Sequence, residues 1–165
     1  MEEPVRMEIK PVTTPNPVPF KGYVHPLKTL FKKGLFPSVT TGLYGGKLTP
    51  QTCSIEHLKC FSTGGRTTYR NIALATKHNN SARGTRPLAD FLSWTMLEDY
   101  LKQFNFRIRG LFDGFAYQKQ LRETCMELGV QPPAEIAEQI QKSQLSKKIL
   151  RSMRNKTKKG IDVMA

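Results

Sequence analysis

No two cysteines in this chain of 165 residues are spaced as Cys-x-x-Cys, and the three present, Cys53, Cys60 and Cys125, make an odd count. That excludes the paired knuckles that hold a structural zinc and leaves the core to stand on packing alone. Cys53 and Cys60 then read as small buried residues. Long hydrophobic runs are missing as well, since none approaches the roughly 18 residues of a membrane-spanning helix. The opening Met1-Glu2-Glu3-Pro4 lacks the basic-then-apolar order of a signal peptide. The expectation is an intracellular protein that does not span a membrane. Acids are scarce: 13 Asp and Glu stand against 26 Lys and Arg, a formal net charge of +13. Such an excess suits a polyanionic partner, because neutralising phosphates releases counterions and favours binding. No internal repeat is evident.

The informative stretch runs from Thr52 to Pro87. It opens with a β-favouring run, Cys53 to Leu58, that delivers an acid and an imidazole side by side at Glu56-His57. Ser62-Thr63-Gly64-Gly65 then supplies the pair of glycines that left-handed loop positions call for. Asn71 to Ala75 reads as a short apolar strand or the approach to a helix, and Asn80 to Gly84 as a helical turn closed by glycine. A hairpin followed by a helix is the local shape.

At these residues the stretch resembles the HNH nucleases, the ββα-metal family. The resemblance rests on Glu56-His57 at the end of a first strand, the glycine loop Ser62 to Gly65, Asn71 before a second apolar strand, and Asn80 on the following helix. Asn71 and Asn80 are nine residues apart, the interval usual in that family, and Arg83-Gly84 follows where a basic residue and a glycine are common. It implies an α+β fold, with a ββα-metal hairpin-helix core and additional C-terminal helices. It implies a metal-dependent endonuclease acting on DNA, with RNA not excluded, that leaves 5′-phosphate and 3′-hydroxyl ends.

The rest of the chain is arranged around that core. Residues 1–20 carry Pro4, Pro11, Pro15, Pro17 and Pro19 and read as an extended arm. Residues 21–110 form the nuclease domain with its supporting elements. Within it, His25 to Phe31 reads as a short helix with Pro26 in its first turn and Gly34 closing it, and Gly45-Gly46 marks a turn before Leu48. Lys28, Lys32 and Lys33 belong either to a DNA-facing wall or to a solvated basic face. Leu88 to Phe106 reads as one long amphipathic helix, in which Trp94 either packs in the core or stacks on a base. Residues 111–141 are a helical extension, with Phe115, Leu121, Cys125 and Leu128 partly inward, and residues 142–165 a basic tail.

Under the resemblance His57 is the general base, as a group that titrates near neutral pH. Glu56 and Asn80 would hold one divalent cation, Mg²⁺ or Mn²⁺, through oxygen. His78 is the alternative to Asn80, because two residues apart on a helix they face about 200° from one another. Neighbours on a regular strand point to opposite faces, so Glu56 and His57 share a site only where the strand ends or bulges. Asn71 would bridge backbone groups and hold the His57 loop. Arg83, with Lys59 and Arg66, is available for phosphate. In the tail, Lys147, Arg151, Arg154 and Lys158 share one helical face and Leu145, Ile149 and Met153 an opposing stripe, so the basic face is expected on nucleic acid. A non-catalytic nucleic-acid-binding protein of similar fold is the alternative, and no protein partner is indicated. Deleting residues 142–165 should flatten the salt dependence of DNA binding, measured by fluorescence anisotropy across a salt series; an unchanged slope would place the tail away from the DNA.

Overall fold

The structure, a computed structural model, describes residues 25–164, with side chains as far as residue 156. The proline-rich arm expected over residues 1–20 and the side chain of Lys158 lie outside the described residues.

Helix α1 (Pro26–Lys32) begins where the sequence places it: Pro26 fixes the first turn, and His25 caps it by accepting the Leu27 N–H at Nδ1, 2.9 Å away. Leu27, Leu30 and Phe31 form its buried face. Gly45 and Gly46, both at positive φ, turn the chain between Thr41 and Lys47, which pair as an isolated bridge. Strands β1 (Cys53–His57) and β2 (Ile72–Thr76) form an antiparallel hairpin in the register Glu56 opposite Ala73 and His57 opposite Ile72. Helix α2 (Lys77–Arg83) follows immediately, capped by the Thr76 hydroxyl, which accepts the Asn79 N–H. This is a ββα arrangement in a mixed α+β fold.

The single helix expected from Leu88 to Phe106 is broken. It divides into α3 (Leu88–Phe91), α4 (Trp94–Leu101) and a 3₁₀ turn (Lys102–Phe104). Leu92 is extended, and the Ser93 hydroxyl accepts the Met96 N–H at 3.2 Å, so a local cap starts a new helix inside a continuous apolar pattern. Trp94 packs in the core. A second hairpin, β3 (Arg107–Ile108) with β4 (Phe112–Asp113), turns at Gly110 and leads into α5 (Gly114–Glu127). Asp113 caps α5 through the N–H groups of Phe115 and Ala116. Tyr117, Leu121 and Cys125 face inward, whereas Phe115 lies exposed beneath the Arg107 guanidinium, 4.6 Å from its ring centre.

A two-stranded hairpin is marginal alone, and all five residues of β2 are buried. Its second edge is therefore covered from two sides. Leu43 donates its N–H to the Leu74 carbonyl, and Leu74 donates its own N–H to the Tyr100 hydroxyl, each at 2.9 Å. The Tyr117 hydroxyl donates to the Ile72 carbonyl, so its proton is committed and the Tyr100 hydroxyl must donate to it across 2.9 Å. Around this relay Phe36, Tyr100, Phe104, Phe112 and Tyr117 pack ring against ring.

The chain forms two compact units, the first ending at Gln131 and the second beginning at Pro132. Residues 111–131, expected with a separate extension, thus join the first unit, because α5 carries buried side chains into its core. Helix α6 (Ala134–Met164) makes up most of the second unit, and its described side chains from 141 to 156 are exposed. No described helix is long and apolar enough to cross a membrane.

His25 is fully buried, and because Nδ1 accepts the Leu27 N–H, its proton sits on Nε2, which has no hydrogen-bond partner and lies in a ring edge-to-face with Tyr69. Burial, with the neighbouring His57 adding to it, pulls its pKa down to about 3. The unfolded chain protonates this residue below about pH 6.5. The folded chain does not until far lower, so stability present above that pH is lost as the pH falls from 6.5 towards 3. Urea midpoints between pH 7.5 and 4.5 should therefore fall less steeply for His25→Asn, which keeps a capping oxygen, than for wild type; parallel curves would contradict this.

Candidate active site

His57 is the last residue of β1, and the pairing continues one step further, with Leu58 donating its N–H to the Asn71 carbonyl at 2.8 Å. The chain then makes a compact loop from Lys59 to Arg70. Asn71 holds both of its arms: its Oδ1 accepts the Lys59 N–H at 2.8 Å, and its Nδ2 donates to the carbonyls of Lys59 and Arg66 at 3.0 and 2.9 Å. Only the first glycine of the pair, Gly64, has positive φ (98°). Gly65 is needed for a different reason, since a Cβ there would lie 1.7 Å from the Lys59 carbonyl oxygen.

Glu56 and His57 follow the alternation of a strand and engage different partners. The Glu56 carboxylate is 4% exposed; its Oε2 accepts the Tyr44 hydroxyl and pairs with Arg83 Nη1 at 3.2 Å. Burial pushes its pKa up, while Tyr44 and Arg83 pull the other way. The His57 ring instead lies against Phe61 and places Nε2 2.8 Å from the Thr67 hydroxyl, which is buried. Nδ1 makes no hydrogen bond to the described residues. Burial lowers the His57 pKa, so the ring is neutral at neutral pH.

Arg83 requires a correction. The expectation makes it available for a phosphate, but its side chain is 3% exposed and directed inward. Nε donates to the Arg86 carbonyl, Nη1 to Glu56 and the His57 carbonyl, and Nη2 to the Leu58 carbonyl. Burial would lower its pKa, yet Tyr44 and the Glu56 carboxylate together outweigh it and raise it. Four of its five N–H hydrogens are engaged and the side chain is buried, so it presents no open face to a phosphate. Arg83 fixes the end of β1 from below.

Asn80 projects from α2 onto β1, where its Nδ2 donates to the Ile55 carbonyl at 2.9 Å and the Ser54 hydroxyl at 3.1 Å. His78 is exposed on the same helix. Lys59 and Arg66 are exposed on the loop, and Lys147, Arg151 and Arg154 on α6. Tyr44 and Thr67 take part in the site without any signal in the sequence, because a tyrosine twelve residues upstream and a loop threonine have no diagnostic spacing.

No group of three or more His, Cys, Asp or Glu side chains suited to a metal gathers among the described residues. The expected pair offers oxygens of the kind a hard cation takes, but no contact among the described residues brings Glu56 and Asn80 together, and Arg83 already lies against the Glu56 carboxylate. Glu56 keeps Oε1 outside its contacts with Tyr44 and Arg83, and the Asn80 amide is oriented through Nδ2, leaving Oδ1 as its acceptor end. The chain matches no protein-family model, no curated protein and no solved structure.

Because the Glu56–Arg83 pair is buried, Arg83→Met should lower stability by about 3–5 kcal/mol, and adding Glu56→Leu should restore much of that loss. Urea denaturation of the two variants checks it. A single variant close to wild type would mean that the pair is solvated.

Proposed function

We propose that this chain is a metal-dependent endonuclease of the HNH type that hydrolyses DNA phosphodiester bonds. One observation carries the reading: the β1–β2 hairpin and α2 set Glu56 and His57 at a strand end, a loop clamped by Asn71, and Asn80 on the following helix, in the order of that family's motif. The surroundings of His57 suit water attack. His57 is neutral, Thr67 holds Nε2, and Nδ1 is the nitrogen left to take a proton from water as its oxygen attacks phosphorus. The P–O3′ bond then breaks, giving 5′-phosphate and 3′-hydroxyl ends. Glu56 and Asn80 would hold the Mg²⁺ or Mn²⁺, whose chemistry is to neutralise charge developing on the phosphate and the departing oxygen.

Substrate binding falls to Lys59 and Arg66 beside the site and to Lys147, Arg151, Arg154 and Lys158 on the tail, and no longer to Arg83. We place the activity inside the cell, where such a substrate is found. The buried ion pair favours a second reading. Arg83 already neutralises Glu56, which suits a non-catalytic nucleic-acid-binding protein that keeps the ββα frame for stability.

Supercoiled plasmid incubated with the protein should be nicked in Mg²⁺ or Mn²⁺ and left intact in EDTA. His57→Ala should abolish nicking while preserving DNA binding, and Thr67→Val should slow it by about tenfold or more through loss of ring orientation. Because the His57 pKa lies below its usual value, the rate should fall only as pH drops below about 6.5. Retardation of plasmid on a gel without cutting in either metal would support the binding protein instead.

A further inference from the structure

Phe61 is 40% exposed although it follows directly on the most constrained part of the site. Its ring stands beside the His57 imidazole, with centroids 5.9 Å apart and planes at 62°. The other exposed aromatic ring of the first unit among the described residues, Phe115, has the Arg107 guanidinium over it, 4.6 Å from its centre. The two rings meet at a steep angle rather than stacked face to face, and about two-fifths of the Phe61 surface stays open to solvent.

The segment that presents it is held in place. Phe61–Thr63 forms a 3₁₀ turn in which Gly64 donates its N–H to the Phe61 carbonyl at 3.1 Å. The Cys60 carbonyl accepts the N–H groups of Thr63 and Gly65 at 3.0 and 2.9 Å and the Thr63 hydroxyl at 3.0 Å. Asn71 fixes the loop on both sides, and the close approach of Gly65 to Lys59 leaves it little room to shift. Exposing an apolar ring is unfavourable in water, and here the fold does so on a preorganised turn, which lowers the ordering cost of any partner that covers it.

Charge identifies the partner. From Leu58 to Tyr69 the loop contains no acidic residue and carries exposed Lys59 and Arg66. A flat apolar ring set among cations matches a nucleobase with phosphates on either side, since every base offers a π-face for stacking and a backbone for the lysine and arginine. A base in continuous duplex is already stacked on its neighbours and cannot reach such a ring without leaving them. An unpaired base has less to give up.

We infer that Phe61 is a stacking site for an unpaired nucleobase beside His57, so that the enzyme prefers gapped or branched DNA to continuous duplex. This rests on the nuclease reading for its substrate, but binding can be tested apart from cutting. In EDTA, anisotropy titrations would compare a continuous duplex with the same duplex carrying a one-nucleotide gap, with 2-aminopurine as the unpaired base opposite the gap. Wild type should bind the gapped form about tenfold more tightly and quench the 2-aminopurine. Phe61→Tyr, which keeps a ring, should retain both effects. Phe61→Leu, which keeps apolar bulk without a π-face, should lose both while its duplex affinity stays within about twofold. No preference in wild type, or a preference that survives in Phe61→Leu, would overturn the inference even for a protein that nicks plasmid. A Phe61-dependent preference in a protein that never nicks would sustain the stacking site and overturn only the nuclease reading.

Discussion

Strand β2 is buried along its whole length yet, among the described residues, has only one strand beside it, and this constraint organises the first unit. Buried backbone groups without partners are costly, so the free edge of β2 has to be met by something other than a third strand. The loop at Leu43 meets it from one side, and the hydroxyls of Tyr100 and Tyr117 from the other. That requirement explains why α4 and α5 both end up against the hairpin: each brings one tyrosine to the same edge. It also explains the packed rings around them, since two phenols placed on a strand edge carry their aromatic bodies into the core with them.

The hairpin so fixed becomes the platform for a second network, centred on Arg83. One guanidinium ties Glu56 and the carbonyls of His57, Leu58 and Arg86 together, at the point where β1 runs out. Asn71 does similar work with an amide at the other end of the turn. Between them the position of His57 is determined by backbone contacts rather than by its own ring. The ring is then oriented by Thr67 at Nε2 with Phe61 against it, which leaves Nδ1 outside those contacts. A charged pair beneath a strand end is an expensive support, but it specifies geometry that an apolar contact would leave loose.

Much of the local structure was legible in the chain. Pro26, Gly45-Gly46 and Gly64 act through backbone geometry that any neighbourhood would respect, and they mark α1 and the loops where they occur. The β-favouring run of β1 and the order of Glu56, His57, Asn71 and Asn80 indicated a hairpin and a helix. Leu88 to Phe106 was misleading because apolar spacing reports which face is buried and says little of continuity; Ser93 carried the break, and a serine among helix formers is a weak mark. Phe115 fits an inward stripe by spacing and is exposed, held under Arg107 instead.

By itself the sequence determined the hairpin-helix unit, the positions of its turns and the basic character of its surface, because these depend on residues near one another in the chain. Only the tertiary structure decided the roles of the charged and polar side chains. Arg83 has the composition of a phosphate ligand and becomes a buried partner of Glu56; Tyr44 and Thr67 have no local mark and stand at the two residues of the site. A long polar side chain reaches whichever donor or acceptor the fold leaves nearest. That choice is made by contacts distant in sequence, as Glu56 and Arg83, 27 residues apart, illustrate.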